Sequence, residues 1–214
     1  MKRVPFSDPA EVRAALPIVT AHLRSSGVIA YPTETVYGFG GMLTPVALQR
    51  VAELKKRGED KPFLLLISSP AQCPQLEWNE PARKLAQEFW PGPLTLALRA
   101  TSGEFPAAVL SGTETVAVRE TSHAGLRTLL DVLGEPITST SANLRGAAPA
   151  ASADEAAAVL EQLDAADVLL LDGGALPAAQ PSTLVDCNAE PVRVLRVGAI
   201  SVESLRSVVE HLDA

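Results

Sequence analysis

The chain has 214 residues, of which 47% are hydrophobic and 20% are charged, so it can bury a sizeable core and fits one large domain. Its 18 lysines and arginines are outnumbered by 25 aspartates and glutamates, and the net charge of −7 argues against a general nucleic-acid-binding protein. The two cysteines and three histidines show no metal or redox spacing, no apolar run could span a membrane, and no export signal follows Met1. We therefore expect a cytoplasmic protein without a membrane segment.

Helix and strand signals alternate along the chain. Polar caps followed by proline, or a glycine stop, mark most of the helices. The predicted helices run from Asp8 to Gly27, from Thr44 to the basic cluster 55–57, from Asn79 to before Pro91, over 125–133, over 154–163 and from Ser201 to Leu212. The predicted strands occupy residues 28–31, 63–67, 94–98, 115–119, 137–140, 168–171, 182–186 and 192–197. No repeat or linker interrupts this alternation, which predicts a single α/β domain over residues 1–214 with a mixed sheet.

The stretch Tyr31-Pro-Thr-Glu-Thr-Val-Tyr-Gly-Phe-Gly40 follows the first buried strand and carries hydroxyls, one carboxylate and glycines. Loops at the carboxyl ends of α/β strands are common ligand sites, and glycine lets the backbone approach a ligand closely. A plain polar surface turn would have the same composition. The loop alone leaves both interpretations open.

Further polar residues stand at the ends of other predicted elements. They are Lys55, Arg57, Lys61, Arg119, Ser139, Ser141, Asn143, Ser182, Thr183 and Arg196. Cations with hydroxyl and amide donors suit a polyanion such as a nucleoside triphosphate, although each residue alone fits a helix end, a turn or a surface ion pair equally well. No Walker loop, dinucleotide fingerprint, nucleophile elbow or nucleophile–base pair is present, so such a site would act by positioning and by neutralising charge.

Seven short motifs follow one another in a recognisable order. They are Pro32-Thr-Glu-Thr-Val-Tyr-Gly38, Lys55-x-Arg57 with Lys61-Pro62, Trp90-Pro-Gly-Pro-Leu-Thr95, Val116-Ala-Val-Arg119 with His123, Thr140-Ser-Ala-Asn143, Pro181-Ser-Thr183 and Leu195-Arg-Val-Gly-Ala-Ile200. In this order they resemble the YrdC-like family of threonylcarbamoyl-AMP synthases, over about Gly27 to Ile200. Two positions depart from the family pattern, with Gly58 where proline usually follows Arg57 and Thr121 where the family often has the proline of Arg-x-Pro-x-His.

The resemblance implies a twisted, mostly parallel and mixed sheet flanked by helices, with a concave, locally positive face. It also implies the short, single-domain type. The implied enzyme joins L-threonine, bicarbonate or CO2, and ATP into L-threonylcarbamoyladenylate and pyrophosphate, for the threonylcarbamoyl modification of tRNA adenosine. A downstream tRNA threonylcarbamoyl transferase complex is the implied partner, and no stretch of the sequence identifies its docking face.

The family pattern also assigns the site residues. ATP would contact Lys55, Arg57, Ser141, Asn143 and Arg196, and of these Lys55 and Arg57 are assigned as catalytic. Thr33, Tyr37, Arg119, Ser139 and Ser182 would surround threonine and its carbamate. Mg²⁺ would accompany ATP without dedicated protein ligands, and Glu34 would either bind this metal or cap its loop, which is the preferred interpretation.

Three alternatives stay open at this stage. The chain could adenylate a different carbamoyl donor, as the related domain of hydrogenase maturation proteins does, but that domain normally lies inside a much longer chain. It could be a paralogue without this activity, against which the intact set Lys55, Arg57, Ser141 and Asn143 argues. It could also be an RNA-binding module, which the net charge and the 4% of aromatic residues disfavour.

Overall fold

The computed structural model describes residues 1–56, 62–101 and 103–214. Arg57 and Lys61, both named above as candidate cations, lie outside the described residues. None of the helices within these ranges is long and apolar enough to cross a membrane.

The helices begin at the caps that the sequence indicates. The carboxylate of Asp8 accepts hydrogen bonds from the backbone N–H groups of Ala10 and Glu11 at 2.7 and 2.9 Å, and the side chains of Thr44 and Asn79 cap the next two long helices in the same way. The helices of the described ranges are α1 (Pro9–Arg24), α2 (Pro45–Lys55), α3 (Glu80–Phe89), α4 (Ala124–Leu133), α5 (Ala153–Gln162) and α6 (Val202–Arg206).

The strands form one mixed sheet in the order β1-β8-β2-β3-β7-β4-β6-β5-β9-β10-β11. They are β1 (Lys2–Pro5), β2 (Ile29–Tyr31), β3 (Gly38–Gly40), β4 (Leu64–Ile67), β5 (Leu94–Arg99), β6 (Thr115–Glu120), β7 (Ile137–Ser141), β8 (Leu169–Asp172), β9 (Thr183–Asp186), β10 (Val192–Arg196) and β11 (Leu212–Asp213). The mixed α/β fold is confirmed. The expectation of a mostly parallel sheet is wrong, because the pairings among the described strands are half parallel and half antiparallel.

Three short strands and one helix end differ from the prediction. β1 and β11 pair at the two outer positions of the sheet, and Gly38–Gly40 is a strand antiparallel to β2 instead of part of a loop. The last helix ends at Arg206 and does not continue to Leu212, because Leu212 pairs with Val192 as part of β11. The concave, positive face stays a prediction.

Helices cover both faces of the sheet, and the strands are apolar towards both. β4 shows this directly: Leu65 and Ile67 join the core under α2, α3 and α5, whereas Leu66 joins the core under α1 and α4. Successive side chains of a strand point to opposite faces, so a continuous apolar run suits a strand that is buried on both sides. The polar groups that follow such strands are therefore concentrated at their ends.

The close approach of β3 to β7 requires a glycine. A Cβ atom at Gly40 would lie 1.7 Å from the carbonyl oxygen of Thr138 and 2.9 Å from the hydroxyl oxygen of Tyr31. Gly40→Ala is therefore expected to lower the free energy of unfolding by about 3 kcal/mol in urea denaturation, because backbone must move to admit the methyl group. Gly112→Ala is the matched control, since nothing lies within 4 Å of a Cβ there. Equal losses in both variants would contradict this reading of β3.

Candidate functional site

A cavity of about 750 Å³ opens at the ends of β2, β6, β7 and β10, next to the carboxyl end of α2. Every described residue that the family pattern assigned to ATP, threonine or carbamate lines it, whereas Thr183 and Glu34 do not. The assigned residues that line it are Thr33, Tyr37, Lys55, Arg119, Ser139, Ser141, Asn143, Ser182 and Arg196. Residues separated by more than 160 positions in the chain are thus brought together, which supports one shared site. Their contacts with substrates stay a prediction.

The ammonium group of Lys55 lies at the carboxyl end of α2 and reaches across to the end of β7. It donates hydrogen bonds to the backbone carbonyls of Ser141 and Asn143 at 2.8 and 3.0 Å and to Oδ1 of Asn143 at 2.5 Å. The hydroxyl of Ser141 donates to the same Oδ1 at 2.6 Å. The Lys55, Ser141 and Asn143 side chains therefore form one linked group, in which the amide fixes the position of the cation.

Asn143 also shapes the loop that follows β7. Its Nδ2 donates to the carbonyls of Leu144 and Ala147 at 3.0 and 2.7 Å, and the N–H of Ala147 donates to the carbonyl of Leu144 at 3.0 Å. Gly146, with φ of 82°, takes the position where a type II turn needs a positive φ. Arg145 occupies the second position of this turn, directly before Gly146, and lines the cavity.

Arg196 and Ser182 occupy the opposite wall. Arg196 Nε and Nη2 donate to the carbonyl of Ser182 at 3.2 and 3.0 Å, and Nη2 also donates to the hydroxyl of Ser182 at 3.1 Å. That hydroxyl lies 2.9 Å from the hydroxyl of Thr95. Burial, and then the positive charge of Arg119, lower the pKa of Arg196. The two guanidinium groups thus oppose each other electrostatically, and a bound anion would relieve this repulsion.

Arg119 is the most buried of the described cations that line the cavity, with 4% of its surface exposed. Its Nε lies 3.4 Å from Oε1 of Glu34, and no hydrogen-bond partner for either atom is found among the described residues. The second carboxylate oxygen, Oε2, accepts a hydrogen bond from the hydroxyl of Thr121 at 2.7 Å. Glu34 is therefore engaged with β6 and its following loop, and it neither caps its own loop nor lines the cavity.

Thr33 uses its hydroxyl to fold the loop between β2 and β3. The hydroxyl donates to the carbonyl of Val36 at 2.7 Å and accepts from the N–H groups of Thr35 and Val36 at 3.1 Å. This is a hydroxyl-based turn of the kind that serine and threonine commonly form. Thr33 therefore shapes the loop wall, whereas its predicted contact with threonine or carbamate stays a prediction.

Tyr37 joins that loop to the one after β8. Its hydroxyl donates to the carbonyl of Gly174 at 2.8 Å and accepts from the N–H of Gly173 at 3.0 Å. Burial raises the pKa of Tyr37 to about 12, so the phenol stays protonated and keeps donating near neutral pH.

Ser139 lies in β7, where it pairs with Leu64 of β4, and it also lines the cavity.

Several motif residues support the frame around the cavity without lining it. The indole of Trp90 donates to the carbonyl of Leu94 at 2.7 Å, and Nδ1 of His123 accepts from the N–H of Leu126 at 3.2 Å as the cap of α4. The hydroxyl of Thr183 donates to the carbonyl of Ile200 at 2.7 Å and accepts from the N–H groups of Gly198 and Ile200 at 2.9 and 3.0 Å. The contacts of His123 and Thr183 fix the loops that follow β6 and β10, the strands that carry Arg119 and Arg196.

Five lining residues with polar or charged side chains were not nominated from the sequence. They are Thr35, Lys56, Thr95, Thr140 and Arg145. The turn signal Asn143-Leu-Arg-Gly146 could have indicated Arg145, since Asn and Gly frame a turn tip next to a predicted site residue. Lys56 follows α2 with φ of 44°, a left-handed conformation that no sequence signal at this lysine indicates.

None of the described cavity-lining residues is Asp or Glu, and the described ranges contain no group of three or more His, Cys, Asp or Glu side chains placed to hold a metal ion. Cations, hydroxyls and amides instead provide hydrogen-bond donors for an anion. A magnesium ion in such a place would be carried by the phosphates of a nucleotide, since Mg²⁺ commonly keeps substrate phosphates and water as ligands.

Comparison with known proteins relates this arrangement to one family. The sequence profile of the Sua5_yciO_yrdC family, described as "Telomere recombination", matches residues 21–198. Threonylcarbamoyl-AMP synthase of Pyrococcus abyssi (strain GE5 / Orsay) is 35% identical over 198 residues, which are 91% of this chain and 57% of that protein. The synthase of Bacillus subtilis (strain 168) is 34% identical over 212 residues, which are 97% of this chain and 59% of that protein.

A solved structure of one of these relatives is also similar to this chain in its fold. The crystal structure of P. abyssi Sua5 complexed with L-threonine matches with a TM-score of 0.89 at 32% identity, covering 100% of this chain and 62% of that one. The chain therefore spans about three-fifths of the length of these relatives. The single-domain organisation over residues 1–214 stays a prediction.

Proposed function

Because the chain belongs to the Sua5/YciO/YrdC family, we propose that it forms L-threonylcarbamoyladenylate and pyrophosphate from L-threonine, bicarbonate or CO2, and magnesium-bound ATP. One observation carries the proposal: a single cavity gathers two ammonium and three guanidinium groups among hydroxyl and amide donors. Relatives named threonylcarbamoyl-AMP synthase and a relative solved with L-threonine support it. The product would supply a tRNA threonylcarbamoyl transferase complex in the cytoplasm.

The chemistry needs two bond-forming steps. The threonine amine adds to CO2 and loses a proton, which gives a carbamate. A carbamate oxygen then attacks the α-phosphorus of ATP, the bond from this phosphorus to the bridging oxygen breaks, and pyrophosphate leaves with the electron pair. A carbamate is itself the nucleophile, so the protein has to hold the reactants in line and to neutralise charge, which suits a site without a nucleophile–base pair.

We assign the cavity residues to two groups that match these needs. Arg119 would hold the threonine carboxylate through its planar fork, with Ser139 and Ser182 nearby as hydrogen-bonding groups. Lys55 and Arg196 would neutralise the triphosphate, together with Arg57, which lies outside the described residues. Since Lys55 already donates to carbonyl and amide oxygens, phosphate oxygens would replace some of these acceptors when ATP binds.

One assay tests the proposal. The protein is supplied with Mg–ATP, bicarbonate and L-threonine, and pyrophosphate and threonylcarbamoyladenylate are measured. Product that depends on both threonine and bicarbonate is the expected result. Pyrophosphate formed only with carbamoyl phosphate would instead favour a different carbamoyl donor. RNA binding that survives moderate salt, without any adenylate, would favour the nucleic-acid module.

A further inference from the structure

Glu34 lies behind the cavity and contacts it only through Arg119. It stands in the loop between β2 and β3, and it is absent from the cavity lining although Thr33 and Thr35 on either side are part of it. Its carboxylate bridges two residues of one segment, with Oε1 3.4 Å from Arg119 Nε and Oε2 2.7 Å from the Thr121 hydroxyl. Both members of the ion pair are largely buried, with side-chain exposures of 5% for Arg119 and 13% for Glu34.

Burying Arg119 needs a nearby negative charge, because an uncompensated cation away from water is costly. The positive charge of Arg119 lowers the pKa of Arg196, so the other cation on this side opposes it. Glu34 is the carboxylate within ion-pair distance of Arg119 in the described part of the chain. Glu34 therefore compensates Arg119 before any anionic substrate is bound.

Glu34 lies on the Nε side of the Arg119 guanidinium, so it does not occupy the side formed by the two terminal nitrogens. An arginine has five N–H donors, one on Nε and two on each terminal nitrogen. Glu34 approaches Nε at 3.4 Å, which leaves the Nη1 and Nη2 pair for another anion. This pair is the fork that matches a carboxylate with two parallel hydrogen bonds. Because Arg119 lines the cavity, the fork is presented to a ligand there.

Thr121 gives the bridge its second anchor. Its hydroxyl donates to Glu34 and accepts from the N–H of His123 at 3.2 Å, next to the start of α4. This is one of the two positions at which the chain departs from the family pattern, where proline is common. Proline has no donor in its side chain and could not hold a carboxylate oxygen. The departure therefore supplies a hydrogen bond of this chain's own.

We propose that Glu34 and Thr121 are positioning residues for Arg119, which turn its terminal nitrogens towards the carboxylate of the amino-acid substrate. The proposal rests on the proposed function for the identity of that substrate. Glu34 fixes the Nε side of the guanidinium, and Thr121 fixes Glu34. Neither residue touches the substrate.

The test compares Michaelis constants for both substrates in Glu34→Gln, Glu34→Asp and Thr121→Val. Glu34→Gln is expected to raise KM for L-threonine about tenfold while KM for ATP stays within about twofold, because the negative charge that pairs with Arg119 is lost. Glu34→Asp should recover part of the threonine affinity, and Thr121→Val should raise KM about threefold. Glu53→Gln, at an exposed ion pair on α2, is the charge-matched control that should change neither constant.

Each other outcome overturns the proposal. A fall in KM for L-threonine in Glu34→Gln would mean that Glu34 competes with the substrate for Arg119. Equal rises for ATP and threonine would mean a general structural role, and unchanged constants would mean none. Effects of Glu34→Gln and Thr121→Val that add fully in the double variant would also contradict a single chain of contacts.

Direct binding of L-threonine, measured by calorimetry without ATP, separates this proposal from the proposed function. A wild-type protein that binds L-threonine but makes no adenylate would reject the reaction, and the ratio of dissociation constants between wild type and Glu34→Gln would still decide the role of Glu34. A wild-type protein that neither binds L-threonine nor makes product would overturn both.

Discussion

Replacing Lys55 by alanine is expected to lower ATP-dependent pyrophosphate release by about 10²- to 10³-fold, as commonly follows when one charge-stabilising donor is removed from a transition state. Lys55 is the described ammonium group that is fixed from two sides, by the end of α2 and by the acceptors of Ser141 and Asn143. A fixed cation loses little freedom when the triphosphate arrives, which makes it suited to charge that develops on the leaving pyrophosphate.

Loss of the charge must be separated from loss of the local structure. Lys55→Met keeps the aliphatic stem and should be as inactive as Lys55→Ala, and both should unfold within a few degrees of the wild type. Lys84→Ala is the control, because Lys84 forms an exposed ion pair with Glu80 on α3 at 2.8 Å and should leave the rate unchanged. Normal pyrophosphate release by folded Lys55→Ala would remove Lys55 from the catalytic set. The same loss is expected for Arg57→Ala.

Local signals explain which parts of the fold could be predicted. The cap of α1 at Asp8 and the stop of α4 at Gly134, with φ of 72°, depend on residues next to them in the chain. β1 and β11 were missed because strands of four and two residues are defined by their pairing with β8 and β10, which are distant in sequence. Such pairing leaves almost no periodicity in a short segment.

The site residues likewise separate into those with a signal in the sequence and those whose contacts depend on residues far away in the chain. Lys55 and Asn143 were nominated together because the order of motifs indicates them, and the structure links them by a hydrogen bond. The contact of Glu34 with Thr121, 87 positions away, has no local signal, so the sequence left the role of Glu34 open between a metal ligand and a cap. Thr33 illustrates a third case, since it lines the cavity while its hydroxyl is engaged in a turn, and its contact with threonine or carbamate stays a prediction.

Arg119→Ala is expected to raise KM for L-threonine about a hundredfold and KM for ATP less than about threefold. A substrate carboxylate that loses a bidentate hydrogen-bonded arginine in a buried site loses roughly 3 kcal/mol of binding free energy. Arg119→Lys should give an intermediate value, because it keeps the charge and loses the fork. Arg193→Ala, at an ion pair on β10 that is 59% exposed on the arginine side, is the control that should change neither constant. Equal rises for both substrates would remove Arg119 from the threonine half of the cavity.

Stability provides an independent check on the same variant. Removing Arg119 leaves the largely buried carboxylate of Glu34 without its cation, which is expected to cost about 2 kcal/mol of unfolding free energy in urea. The double variant Arg119→Ala with Glu34→Gln should recover most of this loss, because no uncompensated charge is then buried. It should not recover threonine affinity, because the fork is still missing. Joint recovery of stability and affinity would show that Arg119 acts through the fold, whereas recovery of stability alone places its contribution on the substrate.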